Sequence, residues 1–336
     1  MNIAHIVPHS VIFPLASHNG RYDWVRQLAL LQVQQGHTVT IYSNPASTLE
    51  EIDSQGINGA SNDKKQNNIE TFRLAFSQNH DVYHSHFDNL HYEVAYETKK
   101  PVIFTQHWWP TEQTISLATQ YEPSNVWAVP PTQYMQSFDS TVGIHTKGHI
   151  YHGIDLSAFQ TTSHEKNGRL LFVGRISPEK NLDIALAVAK KAGASLDIVG
   201  KIAPKNQAYW ESLQLLIDGD RIRYLGQKNQ AELVELYSSA LGTLCPFEPT
   251  EAFGLVAIES QACGTPTIMK RGGSRGELIE ENKTGFLCES EEEYVEAIHA
   301  LTTLKADDCI RFAQKFDIHT MAQSYEQLYT ELIEQL

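Results

Sequence analysis

The sequence predicts an α/β protein of two domains, each built on a parallel β-sheet. Residues 3–7 form a short apolar strand, a helix with apolar residues at helical spacing ends near Gly36, and residues 37–42 form a second strand. This strand–helix–strand order implies parallel pairing. The second half starts in the same way, with strands at residues 170–175 and 196–200. A chain of 336 residues is long enough for two domains of ordinary size.

The elements between these strands are weaker in pattern. Residues 81–86, 102–105 and 126–129 are further predicted strands of the first half. Residues 54–68 are polar and contain glycine, which predicts a surface loop or a partly disordered insert. Residues 160–168 are polar and without periodicity, so they are interpreted as a linker. One face of a C-terminal helix carries apolar side chains, namely Met321, Tyr325, Leu328, Leu332 and Leu336.

Composition excludes several classes of function. The chain has 26 basic and 40 acidic residues, a net charge of −14, which disfavours nucleic acid as a partner. No apolar run of about 18 residues is present to span a bilayer. Residues 1–160 hold 8 Lys and Arg against 14 Asp and Glu, so no stable membrane association is expected. The chain enters a strand at once without a signal-peptide pattern, and its four cysteines lack paired metal spacing, which favours reduced thiols in a cytoplasm.

The most informative stretch, residues 248–268, is predicted to be a loop, a short helix and a strand. The helix should begin near Phe253 or Gly254, and its first N–H groups then form a site for a phosphate. Gly254 lets a ligand approach the backbone closely. Glu251 lies just before this helix and Glu259 lies within it. These two carboxylates can hold the two ends of one polar ligand, with its phosphate between them.

The order of residues in this stretch resembles the signature of retaining glycosyltransferases of family 4, in glycosyltransferase group 1. The matching features are Glu251 and Glu259 at their spacing, Phe253-Gly254 after the first, and Ala262-Cys263-Gly264-Thr265-Pro266 after the second. The resemblance implies a GT-B fold, in which two Rossmann-like domains face a central cleft and a C-terminal helix crosses back to the first domain. The implied boundaries are 1–160, a linker at 161–168, a nucleotide-sugar-binding domain at 169–318, and a terminal helix at 319–336.

The resemblance also implies a pair of cations at the end of the first strand of the second domain. Gly174-Arg175 and Lys180 match the family's Gly-Arg and Lys positions. Breaking a bond between sugar and phosphate leaves a diphosphate with growing negative charge, and fixed cations stabilise that charge more than the ground state. Arg175 and Lys180 are therefore expected to hold the diphosphate, with Arg offering a planar fork and Lys a point charge.

Further site residues follow from matching positions. Glu259 is expected to bind the ribose hydroxyls, Glu251 the sugar hydroxyls, and His107 the far side of the transferred sugar. The remaining expected contacts to the nucleotide sugar are Gly20, Gln227, Lys228, Phe253, Gly254 and Leu255. The chain departs from the family at Asn19 and Tyr22, beside Gly20, and at Ile202, where a second glycine is usual. The first departure bears on the acceptor pocket, and Trp108 and Trp109 either stack on an acceptor ring or fill space.

Two sequence patterns are typical of metal ligands, but we assign a metal site to neither. His84 and His86 share one face of a predicted strand, but no third ligand is evident, so a structural role is favoured. Asp218-Gly219-Asp220 follows a predicted amphipathic helix and precedes a strand at residues 222–225, which indicates an ordinary turn. That helix is predicted from Leu213, Leu215, Leu216 and Ile217. No metal and no cofactor is expected besides the nucleotide-sugar co-substrate.

The sequence thus predicts a retaining glycosyltransferase that moves a hexose-type sugar from a nucleoside-diphosphate donor to a hydroxyl acceptor. UDP is the favoured nucleotide, and the acceptor is expected to be a soluble small molecule or glycan. Two alternatives stay open. One is a nucleotide-sugar 2-epimerase of the same fold, which needs no acceptor, and the other is a non-catalytic module that binds a sugar nucleotide.

Overall fold

Two parallel β-sheets organise the chain in this computed structural model, which describes residues 1–15, 20–121, 123–161, 165–248 and 251–335. The chain divides into two units. The first is Met1–Tyr151 with His319–Leu336, and the second is His152–Ile318. The second unit therefore begins at His152, before the linker that the sequence predicts.

Each described sheet has six strands. Those of the first unit are β1 (Asn2–Ile6), β2 (Thr38–Ser43), β3 (Asp53–Gly56), β4 (Val82–Ser85), β5 (Val102–Thr105) and β6 (Val126–Val129). Those of the second unit are β7 (Arg169–Val173), β8 (Ser195–Val199), β9 (Ile222–Tyr224), β10 (Gly242–Cys245), β11 (Thr267–Lys270) and β12 (Gly285–Cys288).

Helices follow most of the strands. In the first unit they are α1 (Gly20–Gln34), α2 (Lys64–Phe76), α3 (Leu90–Val94), α4 (Glu112–Tyr121) and α5 (Gln133–Thr141). In the second unit they are α6 (Leu182–Lys191), α7 (Gln207–Leu213), α8 (Gln230–Ser239), α9 (Leu255–Ala262), α10 (Arg275–Leu278), α11 (Glu291–Ala300) and α12 (Ala306–Ala313). The last helix is α13 (Ile318–Glu334).

The two sheets have the same topology. The strand orders are β3-β2-β1-β4-β5-β6 and β12-β11-β10-β7-β8-β9, and every pairing is parallel. In each unit the first strand pairs with the fourth, and the direction of winding reverses between them. Each unit is thus a Rossmann-like layer of the α/β class, as the sequence predicts. In such sheets, ligands bind outside the carboxyl ends of the strands, where the order reverses.

Burial explains why most strands are visible in the sequence. Every residue of β4, β5 and β10 is buried, which is expected when helices cover both faces of a parallel sheet. Apolar side chains such as Ile6, Phe72 and Phe104 belong to one continuous core of the first unit. Short apolar runs in the sequence therefore correspond directly to the central strands.

The loop predicted at residues 54–68 is confirmed for residues 57–63 and is wrong at both ends. Strand β3 pairs with β2 before these residues, and helix α2 starts directly after Asp63. The Asp63 side chain caps this helix, because it accepts hydrogen bonds from the backbone N–H groups of Lys65 and Gln66. A Cβ atom at Gly56 would lie 2.4 Å from the backbone nitrogen of Pro45, so this edge strand requires a glycine. The strand pairing depends on backbone hydrogen bonds, which a polar sequence does not reveal.

The amphipathic helix predicted across residues 213–217 is also wrong in its second part. Helix α7 ends at Leu213, a short 3₁₀ turn follows, and the Leu215 side chain is 97% exposed. The turn predicted at Asp218-Gly219-Asp220 is confirmed. Asp218 Oδ1 accepts hydrogen bonds from the N–H groups of Asp220 and Ile222, at 2.8 and 2.9 Å, and Gly219 has a φ of 80°.

The predicted apolar face of the C-terminal helix is confirmed for its described residues. Met321, Tyr325, Leu328 and Leu332 are buried in α13, while Leu336 lies outside the described residues. From His319 onward this helix belongs to the first unit. No helix in the described part of the chain is both long and apolar enough to cross a membrane.

The two ends of the second unit are joined by backbone hydrogen bonds. The Ile154 N–H donates to the Phe316 carbonyl at 2.9 Å, and the Ile318 N–H donates to the Ile154 carbonyl at 3.0 Å. A Cβ atom at Gly153 would lie 2.6 Å from the Ile318 Cα atom. Gly153 therefore lets the two backbone segments touch.

A buried carboxyl group lies in helix α5 of the first unit. Asp139 is fully buried, and its Oδ1 atom accepts a hydrogen bond from Gln106 Nε2 at 3.2 Å. Neither Asp139 Oδ2 nor the buried Tyr92 hydroxyl has a hydrogen-bond partner among the described residues. Burial raises the pKa of Asp139 to about 7, since the charged form is poorly solvated there.

We expect Asp139→Asn to change how stability depends on pH. The raised pKa means that the contribution of this carboxyl to stability is fully present below its ordinary pKa of 3.8 and is lost as pH rises through about 7. From about pH 5 to about pH 8, the wild-type protein should therefore lose about 2–3 kcal/mol of unfolding free energy relative to the Asn variant. Urea unfolding at both pH values measures this. The exposed Asp220→Asn is the control, and an equal difference at both pH values for Asp139→Asn would contradict the assignment.

Candidate functional site

The central pair of strands in the second unit brings together the residues predicted to bind a phosphate. Strands β7 and β10 pair in parallel, so the segments beyond Val173 and Cys245 leave the same edge of the sheet. Lys180 Nζ donates to Glu251 Oε2 in a short, partly buried ion pair. The same ammonium lies 4.2 Å from the centre of the Phe247 ring. The Lys180 side chain is only 13% exposed, so its position is well defined by these contacts.

Helix α9 begins where the sequence predicts. Gly254 is its N-cap, with φ 111° and ψ 57°, and the helical residues start at Leu255. Non-glycine residues rarely adopt this backbone conformation. Phe253 is buried against the rings of His152 and Phe316, at 5.3 and 5.7 Å between centroids. The buried Phe253 side chain thus anchors the turn. The Ala257 N–H donates to the Gly254 carbonyl, so the N–H groups before it, at the start of the helix, are those that can face an anion.

Glu259 lies in α9 beside a tyrosine that sequence reasoning missed. The Tyr237 hydroxyl, from α8, donates to Glu259 Oε2 at 2.8 Å. Tyr237 is fully buried, and both burial and the neighbouring carboxylate raise its pKa, so the hydroxyl keeps its proton. The tyrosine therefore fixes the orientation of the Glu259 carboxylate. The two residues are 22 positions apart on different helices, and nothing local in the sequence signals the contact.

A second network holds the backbone just before Glu251. The buried Arg275 guanidinium donates to the Phe247 carbonyl at 3.0 Å and to the Glu248 carbonyl. The Glu248 carboxylate accepts from Asn181 Nδ2 at 2.7 Å and from Lys270 Nζ at 3.0 Å. Residues of the glycine-rich basic segment 270–277 therefore hold the backbone and side chain of Glu248 in place. Pro249 and Thr250 lie outside the described residues.

The buried Cys245 thiol lies among these charges. Burial raises its pKa, and the negative charge of Glu251 raises it further, while the charges of Lys180 and Arg275 act in the opposite direction. The thiol is therefore protonated near neutral pH and is a poor nucleophile. Cys245 thus fills the end of β10 as a buried, protonated thiol.

The turn that carries Arg175 is fixed by close backbone packing. A Cβ atom at Gly200 would lie 1.8 Å from the Gly174 carbonyl oxygen, so β8 can end there only with a glycine. Ile202, at which the chain departs from the family, forms a parallel bridge with Ile176 just beyond Arg175. Arg175 itself is about half exposed, with Nη2 3.5 Å from Glu179 Oε1. Close backbone packing thus positions Arg175, whose side chain stays about half exposed.

The residues predicted beside a nucleobase lie after β9. Lys228 Nζ donates to Glu232 Oε1 at 2.8 Å, and Glu232 also forms a capping box with Asn229 at the start of α8. Gln227 is exposed. Lys228 is thus engaged by the helix cap, whereas Gln227 presents its side chain to solvent.

The other predicted site residues, Gly20 and His107, belong to the first unit. Gly20 is the first residue of α1, and a Cβ atom there would have no neighbour within 4 Å. Asn19, the departure from the family next to it, lies outside the described residues. His107 follows β5, with Nε2 3.3 Å from His86 Nδ1 and its ring 5.1 Å from the Trp24 ring.

The two tryptophans after His107 differ. Trp109 packs on the Phe138 ring at 4.7 Å between centroids and is partly buried. Trp108 is 52% exposed. Trp109 therefore fills space inside the first unit, and Trp108 is the ring that an incoming molecule can reach.

The sequence shows no third ligand beside His84 and His86, but the structure places a third histidine next to them. His5 of β1 lies next to both, and potential ligand atoms of the three rings all lie within 4.8 Å of one another. The sequence contained a usable signal, since pairing the first and fourth strands of a doubly wound sheet places His5 opposite His84.

Two Rossmann-like units of one topology, with a helix N-terminus at the reversal point of the second, define a protein of the GT-B class. Solved structures agree on the fold. The structure of Anabaena HepE in complex with UDP matches this chain with a TM-score of 0.81 and 17% sequence identity. The match covers 99% of this chain and all of the HepE chain. The sucrose-phosphate synthase from Thermosynechococcus elongatus also has a TM-score of 0.81, with 18% identity over all of both chains.

The second unit belongs to the glycosyltransferase group 1 family, since the family model described as "Glycosyl transferases group 1" matches residues 154–316. Two relatives are D-inositol 3-phosphate glycosyltransferases. That of Mycolicibacterium smegmatis is 27% identical over 207 residues, covering 54% of this chain and 48% of the relative. That of Thermobifida fusca is 30% identical over 179 residues, covering 46% and 41%. The chain thus spans less than half the length of these curated relatives.

We expect Gly254→Ala to destabilise the protein by at least about 1–2 kcal/mol, because alanine is strained at this positive φ. The added methyl group meets only ordinary contacts, 3.5 Å from Leu278 Cδ1 and 3.6 Å from Met269 Cε, so strain rather than a clash is tested. The matched control is Gly276→Ala in α10, where nothing lies within 4 Å. Urea unfolding followed by circular dichroism compares them, and equal stability of the two variants would contradict the assignment.

Proposed function

We propose that this protein is a retaining glycosyltransferase that moves a hexose-type sugar from a UDP-sugar to a soluble hydroxyl acceptor without a bound metal. One observation carries the proposal: the Lys180–Glu251 pair lies directly before a helix whose N-cap is Gly254. A cation, a carboxylate and a helix N-terminus at one sheet edge match the three parts of a nucleotide sugar that need recognition.

The diphosphate is the part bound by positive charge. Lys180 is mostly buried, so solvent screens its charge less than that of the half-exposed Arg175. Together with the N–H groups at the start of α9, these cations stabilise the negative charge that develops on the leaving phosphate. Two cations and a helix N-terminus supply the stabilisation that a divalent ion gives in other enzymes, which is why activity without metal is proposed.

The two carboxylates recognise hydroxyl groups at opposite ends of the donor. Tyr237 holds Glu259 in one orientation, as a carboxylate that receives two vicinal ribose hydroxyls requires. Glu251 is oriented by Lys180 and accepts hydrogen bonds from the sugar. Gln227 and the backbone near Lys228 lie beside the base, while Gly20 and His107 of the first unit contact the phosphate and the sugar.

The proposed chemistry uses no protein nucleophile. An acceptor oxygen forms a bond to the anomeric carbon on the face from which the phosphate leaves, and the departing phosphate oxygen takes the acceptor proton. The bond between the anomeric carbon and that oxygen breaks, so configuration is retained. The exposed Trp108 ring offers a surface on which an acceptor ring can stack.

An assay with a panel of sugar nucleotides tests this function. UDP-, GDP- and ADP-sugars are incubated in EDTA with hydroxyl acceptors, including an inositol phosphate because the curated relatives are named for one. We expect acceptor-dependent release of UDP and, by NMR, a product with the donor's anomeric configuration. Conversion of the donor alone would indicate an epimerase, and binding without turnover would indicate a non-catalytic module. Loss of activity in EDTA that Mg²⁺ or Mn²⁺ restores would refute the metal-independent mechanism.

The same assay tests the cations. Arg175→Ala and Lys180→Ala should each lower kcat/KM by about tenfold or more, the loss of one charge-assisted hydrogen bond in the transition state. Lys191→Ala is the matched control, because Lys191 also forms carboxylate pairs in the second unit but lies on its surface with Glu291 and Glu292. Near wild-type turnover in either test variant would remove that cation from the site.

We expect Glu259→Gln and Tyr237→Phe to narrow the gap in kcat/KM between a UDP-sugar and its 2′-deoxy analogue, because a buried polar group left unpaired is costly. The effect of Tyr237→Phe should be the smaller one, since the carboxylate stays and only its orientation is loosened. Glu251→Gln should leave this gap intact and change the preference among sugars. If Glu251→Gln and Glu259→Gln shift the same ratio, the separate roles of the two carboxylates are wrong.

A further inference from the structure

A chain of buried histidines runs through the first unit and ends on His107. His5 lies on β1, opposite His84 of β4 in the parallel register, and His86 follows two positions later. All three side chains are fully buried. The ring centroids of His5 and His86 are 5.3 Å apart, with the planes nearly parallel.

The hydrogen bonds along this chain follow one direction. His5 Nε2 is 2.7 Å from Gln32 Oε1, which only accepts, so the His5 proton is on Nε2. His5 Nδ1 then accepts from His86 Nε2–H at 3.0 Å. His86 Nδ1 in turn accepts from His107 Nε2–H at 3.3 Å. Burial lowers the pKa of His5 to about 4 and that of His86 well below its usual value, so each ring is neutral and carries one proton.

Gln32 sets this direction because its amide is held at both ends. Gln32 Nε2 donates to the Tyr329 hydroxyl at 3.2 Å, which leaves Oε1 facing His5. The Tyr329 hydroxyl donates in turn to His84 Nδ1 at 2.7 Å. Tyr329 belongs to α13, so the C-terminal helix anchors the start of the chain.

The same contacts argue against a metal ion held by His5, His84 and His86. His84 Nε2 is bonded to Thr105 Oγ1 at 2.7 Å and His84 Nδ1 to Tyr329, so both nitrogens of that ring are occupied. The nitrogens of His5 and His86 are likewise all engaged, with Gln32, with each other and with His107. A metal would have to break several of these hydrogen bonds.

We propose that Gln32, His5 and His86 are positioning residues that fix the tautomer and orientation of His107. These hydrogen-bonded histidines keep the His107 proton on Nε2, directed at His86, so Nδ1 carries the lone pair with which His107 would meet a hydroxyl of the transferred sugar. The assignment of the sugar rests on the proposed function, whereas the assignment of the tautomer does not. The edge contact with Trp24 holds the ring from a second side.

NMR of protein labelled with ¹⁵N in histidine tests the chain without any enzymatic activity. Imidazole N–H protons normally exchange too fast to be seen, so we expect protected Nε2–H signals for His5, His86 and His107 only because they are hydrogen-bonded. His86→Leu should abolish the His107 signal. The control is His91→Leu, because His91 is equally buried in the first unit but stacks on Phe104 and contacts Ser85 outside the chain.

Kinetics then test the consequence for the sugar. His86→Leu should lower kcat about tenfold and leave KM for the UDP-sugar within about twofold, since one transition-state hydrogen bond is lost and the nucleotide contacts are kept. His86→Gln, whose amide still donates and accepts, should recover part of kcat. If His86→Leu does not fold, Gln32→Met removes the acceptor at the start of the chain and should weaken the His107 signal.

Three results would overturn the proposal. A His107 signal unchanged in His86→Leu or Gln32→Met would show that the hydrogen-bonded histidines do not set the tautomer of His107. An unchanged kcat in folded His86→Leu, with active wild-type enzyme, would show that the tautomer does not matter to the sugar. Stoichiometric zinc in the purified protein, lost in His84→Gln, would identify a metal site instead.

Discussion

Parallel pairing of the first strand with the fourth in each unit is the constraint on which the rest of the structure depends. In the second unit, it brings the turn with Lys180 against the loop with Glu251. In the first unit, it brings His5 against His84 and His86. Because the winding reverses at this pair, the helices diverge and leave the carboxyl edge open. The candidate chemistry of both units therefore follows from one topological feature that occurs twice.

This arrangement places several polar and charged groups in the protein interior. His5, His84 and His86, together with Arg275 of the second unit, are buried, and each is costly there unless it is hydrogen-bonded. These groups form networks rather than single hydrogen bonds: the histidines bond to Gln32, Tyr329 and Thr105, and Arg275 donates to three backbone carbonyl groups. Such networks tolerate only one arrangement of their members, because a partner moved aside leaves a buried group unpaired. They stiffen the elements from which the site residues project.

The parts of the structure that follow from local physics were predictable from sequence. Strands β1, β4 and β5 are short apolar runs. Gly254 marks the start of α9, and the stop signals after Ala262 mark its end. Strand β3 was missed because this edge strand is held by backbone hydrogen bonds, and its polar run Asp53–Gly56 shows no apolar pattern. The helix predicted through Leu215 is wrong for the opposite reason: this residue is apolar and at helical spacing, yet it is exposed in a 3₁₀ turn.

The residues of the candidate site also divide into those visible locally in the sequence and those that depend on tertiary packing. Arg175, Lys180, Glu251 and Glu259 belong to an ordered motif that is visible in the chain. Their supports, Tyr237 and Arg275, act over separations of 22 to 28 residues, and they depend on how helices and loops pack. His5 stands between these cases, because its contact with His84 follows from strand register once the sheet order is known.

The Lys180–Glu251 pair shows why the exposure of a charge matters as much as its identity. An ion pair on the surface contributes little, because water screens it and both side chains lose freedom. Lys180 is 13% exposed and Glu251 26%, and the ammonium also rests on the Phe247 ring, so both groups are held in place before any ligand arrives. Under the proposed function, an arriving diphosphate would meet a cation that needs no reordering, beside a carboxylate placed to receive hydroxyl groups. Arg175, 49% exposed, has its charge screened by water until a ligand covers it. The two cations are therefore not equivalent in exposure. Under the proposed function, Lys180 would be held in place before the ligand binds, and Arg175 would contribute fully only when the ligand excludes water.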